Sequence, residues 1–175
     1  MFEQVSNLGV FADPLSNLIH RLKFAHGWTV GSLLADRAYR LPRVRALLED
    51  IDVIAPVPLH WTRHIVRGFD QAHVFSRRLG KLSRKRLVYP VVRVRATPAQ
   101  SLQKRADRMR NVRNAFGLVK PRSVEGLRVL VIDDVMTTGS TVKTFARVLK
   151  QGNPQSTSVL TIAMADPKGH AFEAV

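Results

Sequence analysis

Asp133 and Asp134 stand together at the end of the apolar run Val129–Ile132, and within seven residues the chain adds Thr137, Thr138, Gly139, Ser140 and Thr141. Hydroxyl groups and a glycine that lets the backbone approach closely can wrap a phosphate, above all where a helix begins and turns its N–H groups and positive dipole end toward it. Two carboxylates beside a phosphate would repel it unless they face something else, and vicinal hydroxyls or Mg²⁺ are the natural choices. A phosphate on one side and a diol on the other describe a ribose 5-phosphate.

Similar text occurs elsewhere. An apolar strand ending in Asp-Asp can be the acidic half of a nucleotide-hydrolase site, but no G-x-x-x-x-G-K-[ST] is present. A phosphoacceptor pocket would sit near a domain's start, whereas only about 40 residues follow here. A Thr- and Ser-rich strand-to-helix turn can also be purely structural. Each feature alone is weak; the combination from Asp133 to Thr141 is specific.

These residues need a strand before them and a helix after them, and the hydropathy pattern supplies both. Val129–Ile132 reads as a strand, Thr141–Gln151 as a helix and Ser158–Met164 as a further strand. Upstream, Asp13, Pro14 and the apolar face Leu15, Leu18, Ile19, Leu22 predict a helix ended by Gly27, followed by helices over Val30–Leu41 and Val44–Glu49. Val53–Val57 predicts a buried strand, Phe69–Leu82 a helix, Leu87–Val94 a strand, residues 96–107 a mobile loop, Arg108–Asn114 a helical turn and Ala115–Val119 a short strand. Strands alternating with helices imply an α/β fold with a central, mostly parallel sheet flanked by helices. Ligands bind such sheets beyond the carboxyl ends of the strands, where Asp133–Thr141 must lie. Residues 1–50 are expected to form a small N-terminal helical hood and residues 51–175 the core of one compact unit.

The chain has 175 residues and no cysteine, which excludes disulfides, thiolate catalysis and a Cys-ligated zinc within it. Its six histidines, at 20, 26, 60, 64, 73 and 170, form no HExxH-type motif, so a dedicated transition-metal site is not expected. No apolar run approaches the roughly 20 residues of a membrane span, and no secretory signal is read, so membrane insertion is not expected and a cytoplasmic location is. The net charge of +15 is concentrated: residues 61–128 carry 18 Lys and Arg against 3 Asp and Glu, whereas both flanking segments balance. A solvated face normally mixes signs, so this segment suits an anionic ligand, a polyphosphate or nucleic acid.

"VLVIDDVMTTGST" resembles the phosphoribosyl pyrophosphate (PRPP) motif of type I phosphoribosyltransferases. "VPLHWTRHIVRGFDQAHVFSRRLGK" and "RVRATPAQSLQKRADRMRNVRNAFGL" are similar to blocks of the ComF/GntX-like family of that superfamily, the competence-protein homologues, and with "LSNLIHRLKFAHG" the likeness spans nearly the whole chain. The resemblance implies the type I phosphoribosyltransferase fold. It implies that Asp133 and Asp134 hold the ribose hydroxyls, directly or through Mg²⁺, and that Thr137, Thr138, Gly139, Ser140 and Thr141 wrap the 5-phosphate. Val57, Pro58 and Leu59 would stand in the pyrophosphate loop; Arg67, Gly68 and Gln71 match the family's "RGFNQ" block; and Gln100, Arg105, Arg108 and Asn111 match its mobile loop. Asp70 stands where the family has an amide, which puts in doubt a contact made through an amide donor. The cysteine-rich zinc segment common among relatives has no counterpart in these residues.

Transfer from PRPP separates the anomeric carbon from pyrophosphate through an oxocarbenium-like state. Arg67, Arg105 and Arg108 are the candidates to stabilise the charge growing on the leaving group, a kind of contact whose removal commonly costs about 2.7–4 kcal/mol. Purine-salvage relatives place a carboxylate base where Thr137 stands, so no acceptor-activating base is identified, and His60 and His64 are only neighbours of the expected loop. Two classes of function follow: a phosphoribosyltransferase with an unnamed acceptor, or a non-catalytic PRPP sensor that grips single-stranded DNA through residues 61–128 in competence or the use of foreign DNA. PRPP, single-stranded DNA, a second copy of the chain and competence-machinery proteins are the partners to test.

Overall fold

The computed structural model describes residues 2–22, 27–59, 70–94 and 115–165. Its centre is a five-stranded, all-parallel sheet in the order β1 (Val5–Val10), β7 (Ser156–Met164), β6 (Arg128–Met136), β2 (Val53–Pro56) and β3 (Arg86–Leu87). β4 (Val91–Arg93) and β5 (Phe116–Leu118) form a separate antiparallel ribbon. Helices α1 (Leu15–Leu22), α2 (Gly27–Arg40), α3 (Pro42–Glu49), α4 (Gln71–Ser83) and α5 (Ser140–Leu149), with short 3-10 turns at Pro121–Ser123 and Lys150–Gly152, complete the described elements.

Successive side chains of a strand point to opposite faces, and β6 shows the result. Leu130 and Ile132 join a core with Ile19, Leu34, Leu47, Phe75 and Leu79 from α1–α4. Val129 and Val131 join the other core, with Val142, Phe145 and Leu149 of α5 and Phe116 of β5. Phe116 and Phe145 meet edge to face at 5.6 Å, which fixes the ribbon against α5. The sheet is therefore apolar on both faces, as a parallel sheet covered by helices must be.

The first fifty residues hold the three expected helices and a strand that was not expected. β1 lies at the sheet edge against β7. Gly27 opens α2 instead of ending α1. The single strand expected over Leu87–Val94 is two, because Pro90 has no N–H for a ladder; its carbonyl instead accepts from Val119 and Lys120. The bond from Val94 N–H to Ala115 O, 2.8 Å, brings together the two ends of segment 95–114. The mobile loop and helical turn expected there lie outside the described residues.

Candidate functional site

The carboxyl end of β6 carries the acid pair. Continuing the alternation of the strand, Asp133 follows Val131 toward the α5 side and Asp134 follows Ile132 toward α4. Asp133 is only 8 % exposed and Asp134 is half-buried. Each carboxylate accepts the next residue's N–H, Asp133 Oδ1 from Asp134 at 2.9 Å and Asp134 Oδ1 from Val135 at 2.7 Å. Burial pushes the Asp133 carboxyl well above the usual carboxylate range, and the charge of Asp134 adds to the effect. Beside it in register on β7, the hydroxyl of Thr161 is fully buried and has no hydrogen-bond partner among the described residues. A buried carboxylate disfavoured when charged, with one main-chain N–H as its described donor, is well served by further donors from a diol or by a cation.

Beyond Met136 the chain turns through Thr137, which is exposed, to Gly139, whose φ of +69° lies in the left-handed region that glycine adopts without strain. Gly139 caps α5, and its carbonyl accepts from Lys143 N–H at 2.8 Å. Thr138 Oγ1 donates to Ser140 Oγ at 3.0 Å and accepts from Ser140 N–H at 3.4 Å. Asp133, Thr137, Gly139, Ser140 and Thr141 line an open cleft of about 180 Å³, counting the space at its mouth. The turn is thus concave and open, with hydroxyls on its wall and the first turn of a helix at its base.

The end of β2 lies next to this cleft, since β2 pairs with β6. Val57 N–H donates to Ile132 O at 2.8 Å, and Leu59 N–H donates to Asp70 Oδ2 at 2.9 Å. Asp70 is the N-cap of α4, its Oδ1 accepting from His73 N–H at 3.1 Å. Burial raises the Asp70 carboxyl above its ordinary value, the Leu59 and His73 N–H groups pull it down, and the charge of Asp134 pushes it up again. Gln71 follows, 1 % exposed, with both side-chain amide atoms lacking a partner among the described residues. Tyr89, just past β3, hydrogen-bonds His73 Nδ1 at 3.0 Å and stacks on that ring, its phenol raised by burial and by Asp70.

Asp133, Asp134, Thr137–Thr141, Val57–Leu59 and Gln71 therefore gather at the carboxyl ends of β6 and β2. Arg67, Gly68, Gln100, Arg105, Arg108 and Asn111 lie outside the described residues, as do His60 and His64. Sequence patterns missed the brace from Asp70 to Leu59, the Tyr89–His73 pair and Thr161. Asp70 carried a readable signal, an acid immediately ahead of helical spacing; the other contacts join residues far apart in the chain.

Residues 67–172 match the family model described as a phosphoribosyl transferase domain. The chain belongs to this family. Its relatives include the DNA utilization protein YhgH of Escherichia coli (strain K12), 35% identical over 163 residues that cover 90% of this chain and 70% of that one. Competence protein F of Haemophilus influenzae is 33% identical over 163 residues, covering 90% and 71%. Among solved structures, the purine phosphoribosyltransferase of Pyrococcus horikoshii aligns over 82% of this chain and 93% of its own at 15% identity and a TM-score of 0.46, a likeness too distant to add to the assignment. The parallel sheet flanked by helices agrees with the family's fold. No helix among the described residues is long and apolar enough to cross a membrane.

Proposed function

We propose that this phosphoribosyltransferase-family chain binds PRPP at the carboxyl end of β6 and serves the use of foreign DNA. The observation that carries the reading is the open cleft over residues 133–142, which sets the buried Asp133 against a hydroxyl-lined helix start, with half-buried Asp134 next to it in the chain. The 5-phosphate lies against Thr137–Thr141, and the ribose diol donates to Asp133 and Asp134. Mg²⁺ suits this all-oxygen donor set. Among the described residues no three acidic or histidine side chains are grouped to cage a metal, so the ion would take the acid pair together with oxygens of the substrate. When bound, it would neutralise charge on the diphosphate. The DNA link follows the names of the relatives, DNA utilization protein YhgH and competence protein F.

In this reading the chain transfers phosphoribosyl to an acceptor that its own residues do not identify. Incubation with Mg-PRPP and a panel of bases and amines, reading pyrophosphate release, tests it; turnover with one acceptor supports transfer. Calorimetry of Mg-PRPP against the double variant Asp133→Asn, Asp134→Asn tests the site itself, with loss of binding expected and unchanged affinity refuting it.

A second reading, a PRPP-sensing module without catalysis that holds single-stranded DNA, is favoured by a specific surface. Arg77, Lys81, Arg84 and Arg86 are exposed and make no ion pair among the described residues, and Tyr89, whose phenol feels the charge of Arg77, is 43% exposed. Cations along a backbone track with an aromatic for stacking suit a single strand. Mg-PRPP binding with persistent silence toward every acceptor supports this reading over transfer.

A further inference from the structure

Every backbone donor of the loop Val57–Leu59 is accounted for. Val57 N–H is spent on Ile132 O, Pro58 has none, and Leu59 N–H is held by Asp70 Oδ2 at 2.9 Å. An anion arriving over this loop can gain a main-chain donor in one way, by taking Leu59 N–H from the carboxylate. The carboxylate is suited to keep it. With two acceptor oxygens, Asp70 caps α4 through His73 N–H with one and holds Leu59 with the other. An asparagine could accept only one of these bonds, since its other terminal atom is an NH₂ that would meet an N–H donor to donor.

The charge of Asp70 is also uncompensated by any described ion pair. The two ion pairs among the described residues, Arg78–Asp36 and Arg128–Asp52, do not involve it, and the charge of Asp134 reaches it unfavourably. A diphosphate at this loop would meet both a lost donor and a like charge.

We propose that the Asp70 carboxylate is a resident anion in the diphosphate seat, which an incoming diphosphate must displace from the Leu59 N–H. It weakens the hold on the leaving group without touching the sugar phosphate, and so favours early release of the diphosphate product. The inference rests on the proposed reading of residues 57–59 as the loop that faces the diphosphate.

Calorimetric titration of inorganic pyrophosphate and, separately, of ribose 5-phosphate into the wild type, Asp70→Asn and Asp70→Ser, in one magnesium buffer, tests it. Asn and Ser both cap helices as well as Asp does, so α4 keeps its start, and thermal melts verify folding. Pyrophosphate should bind both variants at least about tenfold more tightly, equivalent to about 1.4 kcal/mol, with ribose 5-phosphate unchanged. Unchanged or weaker pyrophosphate binding in the folded variants overturns the proposal and makes Asp70 a brace only. Failure of ribose 5-phosphate to bind the wild type is a different result, and it sinks the sugar-phosphate reading of the β6 cleft instead.

Discussion

Replacing Gly139 by alanine puts an L side chain at a φ of +69°, and the surroundings separate two sources of cost. A Cβ there meets nothing nearer than Met136 Sδ at 3.5 Å and Lys143 Cε at 3.7 Å, which is ordinary contact. Space is available, so the penalty is the backbone's own, about 1–2 kcal/mol. In a domain of this size that lowers the melting temperature by roughly 2–8 °C. Gly126 provides the control. Its φ is +66°, its Cβ would meet nothing within 4 Å, and it precedes β6 at the end of the strand opposite the cleft. Gly126→Ala should therefore lose the same stability by the same route. Only Gly139→Ala should also weaken ribose 5-phosphate binding, because relaxing the strain moves the turn that carries Thr138 and Ser140. Scanning calorimetry and ligand titration on both variants read the two effects apart. Equal melting losses with equal, wild-type affinity would refute the phosphate seat, and a loss at Gly126 with none at Gly139 would refute the strain argument.

Asp133→Asn should raise the melting temperature at neutral pH while weakening Mg-PRPP binding, since burial penalises the charged acid; a lower melting temperature contradicts that account of its environment. Asp52 receives the Arg128 backbone N–H at 2.8 Å and its guanidinium at 2.8 and 3.1 Å, and these bonds hold its carboxyl at about 2, below the ordinary 3.8. A depressed acid stabilises the fold above its unfolded value and ceases to do so as pH falls through its folded one. Thus Asp52→Asn should melt below the wild type above pH 3.8, the gap closing as pH falls through about 2; a pH-independent gap excludes this linkage. Single-stranded DNA binding should fall steeply with salt, and Arg77→Ala with Lys81→Ala should flatten the log–log slope by about 1.4, measured by fluorescence anisotropy. An unaltered slope removes that face from the interface.

The cleft was legible in the sequence because its parts are contiguous: an apolar strand, an acid pair, a hydroxylated turn and an amphipathic helix follow one another from Val129 to Leu149. β1 was not, since an edge strand has one neighbour and tolerates Ser6, Asn7 and Gly9, which blur the two-residue alternation. Gly27 was misread because glycine can open a helix as well as close one. Asp70 read as a charge in an anion-facing block, whereas it also ties two backbone segments eleven residues apart. Such a bond exists only once β2 and α4 are docked, and no local pattern encodes it.

β1 has another consequence, for the order in which the chain can assemble. Val5 pairs with Val159, and β7 is the strand that β1 lies against at the sheet edge. On a translating ribosome β1, made well before β7, must wait, its ladder groups unmatched, until nearly all of this sequence has been made. Closure of the sheet is thus a late, long-range event, and any nascent chain that stalls before Ser156 presents a strand with nowhere to dock.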